Sequence, residues 1–320
     1  MSGVMKQIGQ KIIWMSCGLL LLTLVGSIAA ETKKIEQKKP KRKAAPFKWV
    51  NEIPGKWASV PGLKHGTFFS KANQAETGFC VLLPSGYEDE ANKDKRYPVV
   101  YYLHGGRPGG ETKSLGLTPF LQKAMADGKV PPMIYVFSNG GVVSHYDFPE
   151  KKSLGETSLI KELIPHIDGK YRTVASRKGR GLEGFSQGGR ATGRLMFKYP
   201  ELFVSAAPMG GGHQHEKDIS DTKGHESPNL FFSNWETNVY DTARVYAANK
   251  EAPKVNIFIA FGSKDFNYEA NLEWMKYLDS LGIKYQKNIV TDAPHSAVKV
   301  YDTAGIEAMN FHARNFGLLK

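Results

Sequence analysis

GLEGFSQGGRATGRL, Gly181 to Leu195, is the stretch on which the fold of this chain turns. At its centre Gly184-Phe185-Ser186-Gln187-Gly188 reads G-x-S-x-G, a pattern short enough to recur by chance in a glycine-rich chain, so its setting decides. Gly181 to Phe185 is a short strand-like run, and Gly188 to Lys198 continues with helical character until Pro200 stops it. A serine at a sharp strand-to-helix turn has its hydroxyl lifted above the sheet, with the positive end of a helix aimed at the carbonyl it attacks. Gly184 and Gly188 suit that turn because a side chain at either would collide with neighbouring backbone, and Gly189 extends the permissive stretch. The rival reading is a plain strand-to-helix loop.

Outward from this motif, strand-like and helix-like segments alternate, the pattern of a sheet flanked by helices. Gly66 to Ser70 and Gly78 to Leu83 read as an antiparallel pair, and Tyr97 to Leu103 as a fully buried strand ending in His104-Gly105-Gly106. Met133 to Phe137, Phe203 to Pro208, Val255 to Phe261 and Tyr285 to Val290 supply further strands. Helices are expected over Thr118 to Asp127, Leu154 to Ile167, Asp241 to Asn249, Asn271 to Leu281 and about Ala304 to Asn315, from apolar residues at helical spacing. The expected fold class is α/β, an α/β-hydrolase fold with a mostly parallel central sheet.

A serine hydroxyl is inert at neutral pH, so a nucleophile at Ser186 requires a base, and the base an orienting acid. The chain order for this turn is serine, acid, histidine. Asp265 follows the buried run Ile257 to Phe261, and His295 follows the final strand; both loops are expected on the sheet edge that carries Ser186. Asp292 is the competing acid, but three residues before His295 it is badly placed to orient the ring. An oxyanion hole needs two backbone N–H groups. Gln187 is expected to supply one and Gly106 the other, with Arg107 close behind. His213-Gln214-His215 with Asp218 offers metal-ligand residue types, yet without a defined scaffold the loop reads as a pocket border, and no metal is expected. With neither a dinucleotide fingerprint nor a Walker loop, no cofactor is expected.

The 320 residues are 41% hydrophobic and 23% charged, a globular balance. Residues 1–30 carry Lys6 and Lys11 before an apolar run, Ile12 to Ile28, that ends in small residues, the layout of a Sec-type signal peptide; the rival is an uncleaved anchor helix. Residues 31–48 hold eight Lys or Arg against two Glu, a net +6 of the chain's +12, and read as a solvated linker. The charge therefore does not argue for nucleic acid, and membrane contact is expected only through these two segments. Residues 49–320 form the expected catalytic domain. Cleavage would remove Cys17 and leave Cys80 alone, so an exported, periplasmic or extracellular chain would lack an internal disulfide.

Several of these segments together resemble a known family. His65-Gly66-Thr67-Phe68, Val81 to Tyr87, Tyr97 to Gly106, Glu162-Leu163-Ile164-Pro165, the Ser186 turn and Phe261-Gly262-Ser263-Lys264-Asp265-Phe266 are similar to the esterase D-like esterases. These α/β-hydrolases include feruloyl and acetyl-xylan esterases of carbohydrate esterase family 1. The resemblance runs from about Val60 to the C-terminus and implies Ser186, Asp265 and His295 as nucleophile, acid and base. Members commonly carry Ser-Met-Gly-Gly followed by a small or aromatic residue, whereas this chain has Ser186-Gln187-Gly188-Gly189-Arg190. The Gln187 change is tolerable because its backbone acts, and Arg190 is expected on the helix surface.

The function expected is removal of feruloyl or acetyl groups from an ester-bearing carbohydrate. Tyr146 and Trp235, with Phe148 and Tyr240, are placed in loops as candidate contacts to an aromatic acyl group. An acyltransferase with the same residues and a non-catalytic carbohydrate-binding homologue are the alternatives.

Overall fold

Parallel strands covered on both faces show no polar alternation, and Val99-Val100-Tyr101-Tyr102-Leu103 follows that rule, all five being buried. The computed structural model describes residues 46–320. The expected signal peptide, and the basic segment up to residue 45, lie outside the described residues.

Eight strands form one sheet: β1 (Leu63–Ser70), β2 (Ala75–Leu82), β3 (Val99–Leu103), β4 (Ile134–Ser138), β5 (Arg180–Phe185), β6 (Ser205–Met209), β7 (Asn256–Lys264) and β8 (Gln286–Pro294). Their spatial order is β1-β2-β4-β3-β5-β6-β7-β8. β1 pairs with β2, and β2 with β4, antiparallel; every other pair is parallel. This is the α/β-hydrolase fold.

The helices are α1 (Thr118–Ala126), α2 (Gly155–Thr157, continued by a π-helical stretch Ser158–Leu163 and by Ile164–Lys170), α3 (Gln187–Lys198), α4 (Gln214–Asp221), α5 (Val239–Ala248), α6 (Tyr268–Ser280) and α7 (Ala297–Asn315). Alternate strand residues serve opposite cores. Val100 and Tyr102 join Leu121 and Met309 from α1 and α7, while Val99, Tyr101 and Leu103 join Leu163 and Leu195 from α2 and α3. Cys80 is free and buried, and burial raises its thiol pKa far above the usual range, so it behaves as an apolar core group. Among the described residues no helix is long and apolar enough to cross a membrane.

Three departures from the sequence reading bear on the site. β7 and β8 extend to Lys264 and Pro294 across a register shift, so Asp265 and His295 directly follow the strands. α7 begins seven residues earlier than expected, because Ser296 caps it by accepting from the Lys299 N–H (3.4 Å). α4 takes in Gln214, His215 and Asp218, which read as part of a loop bordering the pocket.

Candidate active site

The strand-to-helix turn holds Ser186 at φ 60°, ψ −121°, a left-handed conformation that a non-glycine residue adopts only under strain. Its N–H donates to the Met209 carbonyl (2.9 Å), and its own carbonyl accepts from the Arg190 N–H (2.9 Å). The glycines are required by close approach: a Cβ on Gly184 would lie 2.5 Å from the Gly188 carbonyl, and one on Gly188 only 1.9 Å from the Leu103 oxygen.

Ser186, His295 and Asp265, from three separate sheet-edge turns, are brought together here. His295 Nε2 lies 2.8 Å from Ser186 Oγ, and its Nδ1 lies 2.8 and 2.9 Å from the two Asp265 oxygens. A carboxylate beside Nδ1 assigns the proton to that nitrogen and leaves the Nε2 lone pair facing the hydroxyl. Asp265 is buried, and its Oδ1 also accepts from the Asn267 N–H (2.7 Å), which fixes the carboxylate. The His295 ring sits between Phe185 (centroids 4.9 Å apart) and Phe266 (4.1 Å). Phe266 is nonetheless 79% exposed, an apolar ring at the mouth of the site. Asp292 points away, paired with Lys264 at 2.8 Å on the surface.

The loop after β3 closes against Ser186, with a Cβ on Gly105 falling 3.1 Å from Ser186 Cβ. Gly106 follows at φ +71°. α3 starts at Gln187, so its N–H is among the first-turn donors that have no acceptor within the helix.

Arg190 departs from expectation. It is buried rather than on the helix surface: its Nη1 donates to Glu226 (2.8 Å) and its Nε to the Gly211 carbonyl (3.2 Å). Glu226 also receives both Nη atoms of Arg107 (2.5 and 3.0 Å), and His215 stands 4.0 Å away. Two arginines, one following the glycine loop and one in the first turn of α3, thus share one carboxylate supplied by a short hairpin, His225–Ser227 with Leu230–Phe231. Nothing local in the sequence signals this. His213 is buried and stacks on Trp274 (3.8 Å), so its ring is committed to packing.

The expected aromatic contacts are also placed differently. Tyr146 is buried, its hydroxyl bonded to Glu216 and its ring covered by the Arg194 guanidinium (3.9 Å) and Phe232 (4.6 Å), which leaves no free face for an acyl group. Phe148 is buried against Phe232. Tyr240 belongs to α5, not a loop, and packs on Tyr277. Trp235 opens a short 3-10 turn and packs, half-buried, against the cluster containing Tyr146 and Phe232. Sequence reasoning assigned no role to Phe266, although a large apolar residue directly after the candidate acid was a visible signal.

Comparison with known proteins bears on this geometry. Residues 70–305 match the family model described as "Putative esterase". An endo-1,4-beta-xylanase/feruloyl esterase of Xylanibacter ruminicola is 32% identical over 196 residues, 54% of this chain and 26% of that protein. An esterase of Mycobacterium tuberculosis is 32% identical over 164 residues, 50% of this chain and 34% of that protein. This chain thus spans only about a quarter to a third of those relatives. Among solved structures, a ferulic acid esterase superposes with a TM-score of 0.66 at 23% identity, covering 79% of this chain and 98% of the other. The S-formylglutathione hydrolase of Staphylococcus aureus gives 0.61 at 18% identity, covering 78% and 98%. With the family model spanning most of the chain, this chain belongs to the esterase family, on the α/β-hydrolase fold.

Proposed function

We propose that the protein is an exported serine carboxylic-ester hydrolase that removes feruloyl or acetyl groups from an ester-bearing carbohydrate. The observation that carries the catalytic part is the unbroken relay from Asp265 through His295 to Ser186 Oγ, with 2.8 Å contacts on either side of the imidazole. His295 Nε2 takes the Ser186 proton as Oγ attacks the ester carbonyl, and Asp265 stabilises the resulting imidazolium and holds its orientation. The N–H groups of Gln187 and Gly106 receive the developing oxyanion. The alcohol leaves with the proton from His295, and water, deprotonated by the same ring, then releases the acid and restores Ser186.

The carbohydrate-ester reading is supported by the feruloyl esterase among the relatives and by Phe266, whose exposed ring beside His295 offers a surface for an aromatic acyl group. Export is supported by the apolar N-terminal segment alone. Initial rates on methyl ferulate, acetylated xylan and simple aryl acetates, each with and without a carbohydrate acceptor, test the proposal. Hydrolysis of at least one carbohydrate-type ester with water as the main acceptor is expected. Activity on aryl acetates alone would remove the carbohydrate assignment, and product dominated by transfer to the acceptor would make the protein an acyltransferase.

A further inference from the structure

The loop that faces Ser186 has three successive carbonyls, His104, Gly105 and Gly106, and each is held by a side-chain donor. His145 Nε2 lies 3.1 Å from the His104 oxygen, His104 Nδ1 3.2 Å from the Gly105 oxygen, and Ser144 Oγ 2.6 Å from the Gly106 oxygen. The directions of these bonds are fixed. The Gly140 N–H donates to His104 Nε2 (3.1 Å), which leaves the ring proton on Nδ1, and a carbonyl opposite His145 Nε2 can only accept. Both rings are fully buried, and burial holds both neutral, His104 with its pKa lowered to about 4.

In a trans peptide the C=O and the following N–H point in opposite directions, so anchoring one aims the other. The bond to the Gly105 oxygen therefore sets the Gly106 N–H, and the bond from Ser144 to the Gly106 oxygen sets the Arg107 N–H. These are the donors considered for the oxyanion. Where Ser144 and His145 reach the loop both adopt left-handed backbone, φ 43° and 65°, which is unfavourable for side chains of either type. That conformation is held from behind. The His145 N–H donates to the Gly140 oxygen (2.7 Å), and the His145 carbonyl accepts from Arg194 Nη2 (2.6 Å). Arg194 is fully buried in α3, the helix that starts beside the nucleophile, so the same helix braces both halves of the site.

We infer that Ser144 is a positioning residue: by anchoring the Gly106 carbonyl it fixes the peptide that follows Gly106 and so holds Gly106 and the Arg107 N–H in place for the transition-state oxyanion, while His145 anchors the peptide that precedes Gly105. The inference rests on the serine-esterase reading. The test uses Ser144→Ala and Ser144→Gly in the full chain. Glycine accepts φ 43° without strain, so it deletes the hydroxyl while relieving the backbone. Both variants are expected to lose about 10–100-fold in kcat on p-nitrophenyl acetate, somewhat less than deletion of an oxyanion donor itself, with KM within twofold. Affinity for a boronic-acid transition-state analogue should fall by the same factor, while the Ser144→Gly melting temperature stays close to wild type. A hydrolysing wild type whose Ser144→Gly variant keeps kcat and analogue affinity would overturn this assignment alone. A wild type without hydrolysis would overturn it together with the esterase reading.

Discussion

Replacing Glu226 by Gln probes the least expected feature of the site. Glu226 is almost fully buried and accepts three guanidinium bonds, two from Arg107 and one from Arg190. Burial alone would lower the Arg107 pKa; Glu226, together with the nearby Tyr146 and Glu216, holds the guanidinium above its ordinary value. Glutamine keeps one acceptor oxygen but turns an amide donor toward a guanidinium donor, and two cations lose the carboxylate they share. Breaking a buried ion pair from one side costs about 3–5 kcal/mol. The Arg107 side chain is 25% exposed, so water takes up part of the loss and about 2–3 kcal/mol remains. At about 2–4 °C per kcal/mol for a domain near this size, the melting temperature should fall by about 4–12 °C. Scanning calorimetry reads this shift. Adding Arg190→Met to Glu226→Gln should recover part of it, because one stranded charge is removed, a coupling that two independent sites would not show. A Glu226→Gln protein melting within 1 °C of wild type would refute the reasoning.

Other outcomes follow from the same geometry. Asp265→Asn should leave the fold intact but reduce kcat by about 10³–10⁴-fold on an aryl acetate, since the amide no longer selects the productive imidazole tautomer. Gly188→Ala should abolish soluble folded protein in expression trials, because its Cβ would sit 1.9 Å from the Leu103 oxygen, at a strand end that cannot move without its neighbours. Phe266→Ala should raise KM for methyl ferulate by about 2–10-fold and leave aryl acetates nearly unchanged, the value of one aromatic contact. His104 is neutral when folded, with its pKa lowered to about 4 by burial, against 6.5 in an unfolded chain. Below pH 6.5 the unfolded state binds more protons, so stability present at neutral pH is lost as pH falls from about 6.5 to about 4. Urea midpoints across that window should decline, and His104→Gln should flatten the decline.

The parts of this fold legible in the sequence were those fixed by local pattern. Val99 to Leu103 reads as a buried strand because every residue is apolar, and the turn at Ser186 reads as one because its glycines admit no side chain. The order of Ser186, Asp265 and His295 could be read because each follows a strand, and the ends of parallel strands gather on one edge. Arg190 could not be read. An arginine in a helix defaults to the surface, and the carboxylate that draws it inward lies thirty-six residues away in a hairpin without apolar pattern. Ser144 and His145 gave no signal either, since left-handed backbone is suggested by glycine and here falls on other residues. α4 was hidden because Gln214 to Asp221 buries only Ile219 and Glu216, too few for a helical stripe. Tyr146 looked like a pocket wall because its partners Glu216 and Arg194 are distant in sequence.

The central claim is that Ser186 is the nucleophile, activated by His295. Its most direct test is to treat the full chain with a fluorophosphonate probe and map the covalent adduct by peptide mass spectrometry, with Ser186→Ala and His295→Ala in parallel. One adduct on the peptide containing Ser186 is predicted, absent from Ser186→Ala and formed far more slowly in His295→Ala. An adduct on another residue, or ester hydrolysis undiminished in Ser186→Ala, would contradict the claim.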